Sequence, residues 1–512
     1  MATLNPSELK QQSTAYWYYR PFWTDCLNLY EPLPDTLQAY LRRYEKEEDN
    51  EFANRCASLA QINMVYLIVE STLSMLCSTK LEIKSQQHQD KVDSFCNCCT
   101  PQGDSIADFV REQLGPTAFV YGLADVVIDM PEQKDDKLSV EQARARGLQP
   151  YAYVVPPINR YNWAVDSNGN FSMYRSEDIL NTQIQGNLQL GGSASEQKEY
   201  QVWTLETVER YDSYGNMVST KKNPYGFIPI TTCAPVSRSM RFPNERLGRS
   251  LVQDILPLQR QIINVMSLIY DYHESANFPY RILKQDTSDG EEPPTQEEIM
   301  EQGNKRGLLI RGANSDYFLA QPNPAGVTAM IDYLQQLVER CYQQVLMPSD
   351  ATTNKTHQSG NSIRSNMAAL YNKLTTYTKR LEKTVKEIVE MALRVQGIDP
   401  FEAQIKVSWD TNFAFESFTN SQQQLSLVIQ NLSDKSPTSV AEFAKKVMSP
   451  QFYGSTVMDK VLNELDKWAA KPVPDPLMEG NTPDTTPKTA QQQNTQLTAS
   501  EKISEDEEGG DE

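Results

Sequence analysis

The stretch Asn323–Gly397 constrains this chain most: two helical patterns separated by a polar gap. In the first, Val327, Met330, Ile331, Leu334, Leu337, Val338, Cys341 and Val345 recur at three- and four-residue steps, the spacing of one helix face. Pro324 stands where a first-turn proline is tolerated. In the second, Ile363, Met367, Leu370, Leu374, Tyr377, Leu381, Val385, Ile388, Ala392 and Val395 keep a 4-3 alternation for about ten turns. Ser359 or Asn361 is suited to cap its start, and Gly397 to stop it, with Arg394 in the last turn. From Pro348 to Gly360 there is no large apolar residue. A loop this long and polar is not needed for folding; such loops are functional or disordered. Taken alone, the stretch also fits two core helices and a solvated connector.

The 512 residues exceed one ordinary core, so two or more domains are expected. The apolar run at Met64–Val69 is broken by Glu70, Ser71, Thr72 and Ser74, and no run reaches spanning length. The opening MATLNPSELKQQ is polar and has no secretory pattern, so the expectation is a chain made and kept in a cytoplasm, with free thiols. Cys96, Cys98 and Cys99 cluster, but with only three scattered histidines and no second Cys pair a thiol-rich loop is favoured over zinc. A net charge of −19 argues against gripping DNA by neutralising phosphates, though not against letting DNA slide past.

Along the chain, helices are expected over Thr36–Arg43, Ala53–Cys77 and Ser105–Leu114. Gly115-Pro116 should break the last of these before a new helix that Gly122 ends. Strands are expected at Lys80–Lys84, Ala124–Asp129 and Tyr151–Val155. Tyr161–Val165 and Phe171–Tyr174 should flank a turn at Asp166–Gly169, and Gln201–Tyr211 and Met217–Lys221 a turn at Tyr214–Asn216. Ile184–Ser195 reads as a mobile loop. A long helix is expected from Pro243 to Glu274, kinked at Pro257. A small α/β insert follows, with strands at Tyr280–Lys284, Gly307–Arg311 and Asp316–Ala320 and a helix at Gln296–Gly303. After Gly397 come a strand, Gln404–Trp409, and helices near 421–432, 439–448 and 455–467. Residues 471–512 hold three lysines against ten acids and read as a disordered tail.

No P-loop, dinucleotide fingerprint, nucleophile elbow or zincin motif occurs. Pairs such as Asp316 with Glu339, or Asp125 with Asp129, are better read as solvated acids than as metal ligands. The expectation is a protein that is not an enzyme, with no catalytic residue, metal or cofactor.

The order of elements resembles the portal proteins of tailed double-stranded DNA bacteriophages. Local stretches resemble the family too: Tyr121–Pro131, Ile158–Trp163 and Asn223–Pro229, with Asn244–Ser250 opening the first long helix. The likeness covers about residues 15–470. It implies an α+β fold: an α/β wing (1–240), stem helix 1 (241–276), a small α/β clip (277–323) and stem helix 2 (324–347). A tunnel loop (348–360), a long wing helix and strand (361–410), a crown-like helical region (411–470) and the tail complete it.

The resemblance implies a homo-oligomeric ring of about twelve copies at one capsid vertex of the virion, a closed cyclic assembly. Assembly would take place in the host cytoplasm, with no membrane involved. The ring would pass double-stranded DNA during packaging and ejection. It would meet the terminase large subunit, head-tail adaptors, major capsid protein and scaffolding protein. Ser349, Asp350, Thr352, Thr353, Asn354, Lys355, Thr356, His357 and Gln358 would face the DNA. Asp286, Asp289, Glu291, Glu292, Glu297 and Glu298 would face terminase or adaptor. The alternatives are another head or scaffold protein, or a packaging-associated nuclease or ATPase.

Overall fold

The computed structural model describes residues 11–130, 149–178, 183–185, 195–277, 280–284, 316–320, 324–347 and 360–411, with 413, 441, 445 and 467. The chain divides into two units, Met1–Ala414 and Phe415–Glu512. In the second, the described residues are Ala441, Lys445 and Lys467, each helical. The remainder of the helices expected after 420, the tail, the charged stretch 132–147, the insert's helix at 296–303 and its strand at 307–311 lie outside the described residues.

The first unit opens with helices α1 (Thr14–Tyr30), α2 (Pro34–Gln38), α3 (Asp49–Ala57) and α4 (Met64–Cys77). The helix expected at Thr36–Arg43 is thus shorter and starts earlier, on the first-turn Pro34. The continuous helix expected over Ala53–Cys77 is two. Asn63 accepts a hydrogen bond from the Tyr66 N–H and caps α4, so its polar side chain starts a new helix rather than extending the old one. Strand β1 (Leu81–Lys84) leads to α5 (Gln89–Asn97), which takes in Cys96 where a loop was expected.

Gly115-Pro116 does not break the next helix. Helix α6 (Ile106–Phe109) passes through a π turn at Val110–Leu114 directly into α7 (Gly115–Tyr121). The Gly115 N–H bonds back to the Val110 carbonyl, and this widened turn gives the Pro116 ring room that a regular helix interior denies it.

Strand β2 (Ala124–Asp129) is buried from Ala124 to Ile128 and lies between β3 (Tyr151–Val155) and a later strand. A second sheet contains β4 (Arg160–Val165) and β5 (Phe171–Glu177). The loop expected at Ile184–Ser195 is strand at both ends: Ile184 and Gln185 lie in β6 (Gln183–Gln185), which pairs antiparallel with β7 (Ser195–Gln197). The single strand expected over Gln201–Tyr211 is two, β8 (Tyr200–Thr204) and β9 (Thr207–Tyr211). The Thr204 hydroxyl accepts from the Glu206 and Thr207 N–H groups and turns the chain back. β10 (Met217–Lys222) completes the five-stranded order β10-β9-β8-β5-β4, and β11 (Ile230–Cys233) the order β11-β2-β3.

The two sheets are tied by one buried charge pair. Arg160 and Asp125, both 0% exposed, meet at 3.1 Å. Asp125 also accepts from the Tyr174 and Thr232 hydroxyls, and Arg160 donates to the Glu245 carbonyl and lies 3.7 Å over the Trp163 ring. Removing either partner would strand the other charge, at about 3–5 kcal/mol.

The long helix expected from Pro243 begins later, as α8 (Leu256–Asn277). Pro257 sits in its first turn, so it starts the helix instead of kinking it. The preceding residues lie against α7. The Ser250 hydroxyl donates to the Val120 carbonyl, and the Leu251 N–H to that of Phe119. This approach is possible because Gly122 (φ +91°) meets Gly248. A methyl on Gly248 would fall on the Gly122 carbonyl oxygen.

Beyond α8, β12 (Tyr280–Lys284) pairs antiparallel with β13 (Asp316–Ala320). Helices α9 (Pro324–Val345) and α10 (Gly360–Val395) follow, then α11 (Pro400–Ala403) and β14 (Lys406–Trp409), which pairs with β1. The strand expected from Gln404 starts two residues on, because Gln404 takes a left-handed conformation after α11. Leu370, Leu374, Tyr377, Leu381, Val385, Ile388 and Ala392 of α10 are buried, over β2 and β11. The Thr231 hydroxyl donates to Glu387, and Arg394 lies 3.7 Å over the Phe227 ring.

Candidate functional site

Helices α8 and α9 form a pair whose two halves differ. The inner half of α8 is clamped by polar side chains. Gln259 is 0% exposed; its carbonyl oxygen accepts from the Met64 N–H and its amide donates to the Ile62 carbonyl. Asn264 accepts from the Arg42 N–H and donates to the Tyr40 carbonyl. Arg55 reaches Ser267 at 3.1 Å while paired with Glu47 at 2.5 Å, both side chains 5% exposed. The Arg55 hydrogen bonds hold the Glu47 carboxyl below the usual carboxylate range. Arg260 pairs with Asp25. On α9, Leu337, Cys341 and Val345 are buried in the same core.

The outer half is different. From Ala325 to Gln336 no residue of α9 is buried. Ile331 and Tyr333 are exposed, and Val327, Met330 and Leu334 only partly covered. Tyr270 of α8 is exposed as well. Nearby, the Tyr333 hydroxyl donates to the Gln261 side-chain oxygen at 3.0 Å, joining the two helices. Apolar side chains exposed together on one helix face offer a surface for protein contact.

The polar loop predicted to face DNA leaves from the end of α9. That end closes as a Schellman motif: the Met347 N–H bonds to the Tyr342 carbonyl and the Leu346 N–H to that of Gln343. Leu346 sits in the left-handed region (φ +62°), a position glycine usually fills, and Met347 behind it is buried. The end of α10 has the same pair of bonds, Ile398 to Leu393 and Gly397 to Arg394, with glycine at the left-handed position. Gly397 is legible as a helix stop from residue type alone; Leu346 is not.

The predicted loop residues Ser349, Asp350, Thr352, Thr353, Asn354, Lys355, Thr356, His357 and Gln358 lie outside the described residues. So do Asp286, Asp289, Glu291, Glu292, Glu297 and Glu298; the described part of that insert is the hairpin β12–β13. Cys96, Cys98 and Cys99 are free thiols, and burial pushes those of Cys96 and Cys99 upward, away from the reactive thiolate. Among the described residues no group of three or more His, Cys, Asp or Glu is placed to hold a metal ion, and no helix is long and apolar enough to cross a membrane. Sequence reasoning missed Gln259 and Arg55. A glutamine inside an apolar helix stripe was the available signal for the first.

Among curated proteins, none matches the chain. Among solved structures, a chain of the "Neck of empty GTA particle computed with C6 symmetry" is similar at 12% identity and a TM-score of 0.39, over 76% of this chain and 92% of that one. That likeness is too distant to bear on function. The family model "Phage portal protein, SPP1 Gp6-like" matches residues 190–470, more than half the chain, and takes in α8, β12–β13, α9 and α10. The chain therefore belongs to the SPP1 Gp6-like family of phage portal proteins.

Proposed function

We propose that this chain is the subunit of a portal ring at one capsid vertex, the channel through which the genome is packaged and ejected. The family match carries the reading. The uncovered apolar outer half of the α8–α9 pair supports it, because that face needs a partner and neighbouring subunits of a ring would supply one. In this reading α8 and α9 are the stem, β12–β13 with the residues between them the clip, and 348–360 the tunnel loop. The acids Asp286 to Glu298 then face terminase or adaptors. Lys355 and His357 touch passing phosphates lightly, within a subunit whose net charge of −19 repels DNA rather than gripping it.

Electron microscopy of the purified chain tests the assembly: rings with a central hole are expected, and monomers at high concentration would refute it. A complementation assay counting filled heads tests the loop. Lys355→Ala with His357→Ala should leave rings intact and reduce packaging or retention of DNA. Filled heads at the parental level would make the loop a connector only.

A further inference from the structure

Two hairpin tips of the five-stranded sheet share one sequence pattern and one set of bonds. Asp166-Ser-Asn-Gly-Asn170 joins β4 to β5, and Asp212-Ser-Tyr-Gly-Asn216 joins β9 to β10. In the first, Asp166 Oδ1 accepts from the Asn168 N–H at 2.9 Å and from the Asn170 N–H at 2.8 Å. The Gly169 N–H donates to the Asp166 carbonyl at 3.0 Å, and the Asp166 N–H to that of Asn170 at 2.8 Å. In the second tip, Asp212, Tyr214, Gly215 and Asn216 repeat all of these bonds. Gly169 and Gly215 both stand in the left-handed region, at φ +81° and +86°. The middle residue differs: Asn168 in one tip, Tyr214 in the other.

That difference is chemical. Asn168-Gly169 is the one Asn-Gly pair in the 512 residues. The asparagine amide is among the thermally labile groups of a protein. Its Cγ can be reached by the next backbone nitrogen, and glycine, having no Cβ, leaves that nitrogen unscreened. As the Gly169 nitrogen attacks, the N–Cγ bond forms and the Cγ–Nδ2 bond breaks. The nitrogen's proton departs with the amide as ammonia, leaving a cyclic imide. Water then opens the imide at either carbonyl, to aspartate or to isoaspartate. Water has access to this tip: Asn168 is exposed, and a methyl group on Gly169 would meet nothing within 4 Å.

The fold holds this reaction back. The proton that Gly169 has to give up is the one it donates to the Asp166 carbonyl, and that bond must break before the nitrogen can turn to Cγ. The Asp166 carboxylate holds Asn168 and Asn170, the residues on either side of Gly169, and so keeps the bond closed. We propose that Asn168 is a site of spontaneous deamidation gated by Asp166: the reaction runs through the opened tip of the β4–β5 hairpin. It also locks the tip open. The imide has no N–H at Gly169 to return to the Asp166 carbonyl. Isoaspartate lengthens the main chain by one carbon and sets a second carboxylate beside Asp166.

The test is mass spectrometry of the tryptic peptide Tyr161–Arg175, with fragmentation to place the amide-to-acid change, after the full chain has stood in mildly alkaline buffer. A synthetic peptide of the same sequence gives the ungated rate. The folded chain should convert at Asn168 about tenfold more slowly or slower still. Asp166→Ala should bring the folded rate to within about threefold of the peptide, and Asp166→Asn, which keeps the acceptor, should stay near the parent. Asp212→Ala opens the other tip and should leave Asn168 at the parental rate, which separates a local gate from general loosening. Four results would each overturn the proposal: equal rates in folded chain and peptide, no acceleration by Asp166→Ala, equal acceleration by Asp212→Ala, or conversion of Asn162 or Asn170 ahead of Asn168.

Discussion

The inner and outer halves of the α8–α9 pair have the same kind of sequence and opposite surroundings. Leu337, Cys341 and Val345 are buried; Ile331 and Tyr333, one to two turns earlier on the same helix, are exposed. Apolar periodicity says that a face will be covered. It does not say by whom. Inside the unit the covering elements bring polar clamps, Gln259, Asn264 and Arg55, that fix one geometry. At the outer half the described residues supply no such cover.

The largest effect should come from the inner clamp. Arg55→Ala removes one partner of a buried pair and should cost about 3–5 kcal/mol in urea melts of the dispersed chain. The Glu47 carboxyl is held low in the folded state, so its contribution is present above its unfolded pKa and lost as pH falls through the folded value. The gap between parent and Arg55→Ala should therefore narrow in acid. A gap that widened would place the loss elsewhere.

Next, Leu337→Ala should cost about 2–5 kcal/mol, by cavity formation. Ile331→Ala should stay within about 1 kcal/mol in the same dispersed chain. Equal costs would mean that the outer half is covered within one subunit. Ile331→Asp sharpens the contrast: by sedimentation it should abolish oligomers while leaving the melting of the separate chain nearly unchanged.

The smallest effects belong to the two helix ends. Gly397→Ala should destabilise by about 1 kcal/mol, since a side chain there is forced into the left-handed region. Leu346→Gly should do the reverse. Relief of about 1–2 kcal/mol of strain is offset by the entropy glycine loses, leaving a gain of about 1 kcal/mol or less in thermal melts. If Leu346→Gly destabilises, packing of the leucine outweighs its backbone strain.

The sequence was most legible where a local rule decides. Pro324 and Gly397 bounded α9 and α10, and turn residues located Asp166–Gly169. It misled where one residue type serves two opposite roles. Proline inside a helix and proline at its start look alike in sequence, and packing against α7 decided for Pro257. Pro116 was rescued by a π turn that no periodicity announces. Thr204 looked like a strand residue until its hydroxyl closed a turn. In the candidate site, the helix pair could be read in advance, but not its clamp. Gln259 meets Ile62 and Met64 almost two hundred residues away, and Arg55 meets Ser267 farther still. Nothing local marks such partners.

The π turn at Val110–Leu114 has a consequence for how the chain tolerates length change. It holds one residue more than a regular helix of the same rise, so it behaves as an insertion that the fold has absorbed. Deleting one of those five residues would restore an even ladder and leave α7 nearly in phase with α6, because five residues in the wide turn advance about as far around the axis as four in a regular helix. Ala118 and Phe119 would keep their places in the core, and the Phe119 and Val120 carbonyls would still meet Leu251 and Ser250. Pro116 would fall in a regular helix interior, where its ring clashes. The extra residue is thus what lets a proline stand inside a continuous helix, and the cost of its loss would fall on that one ring.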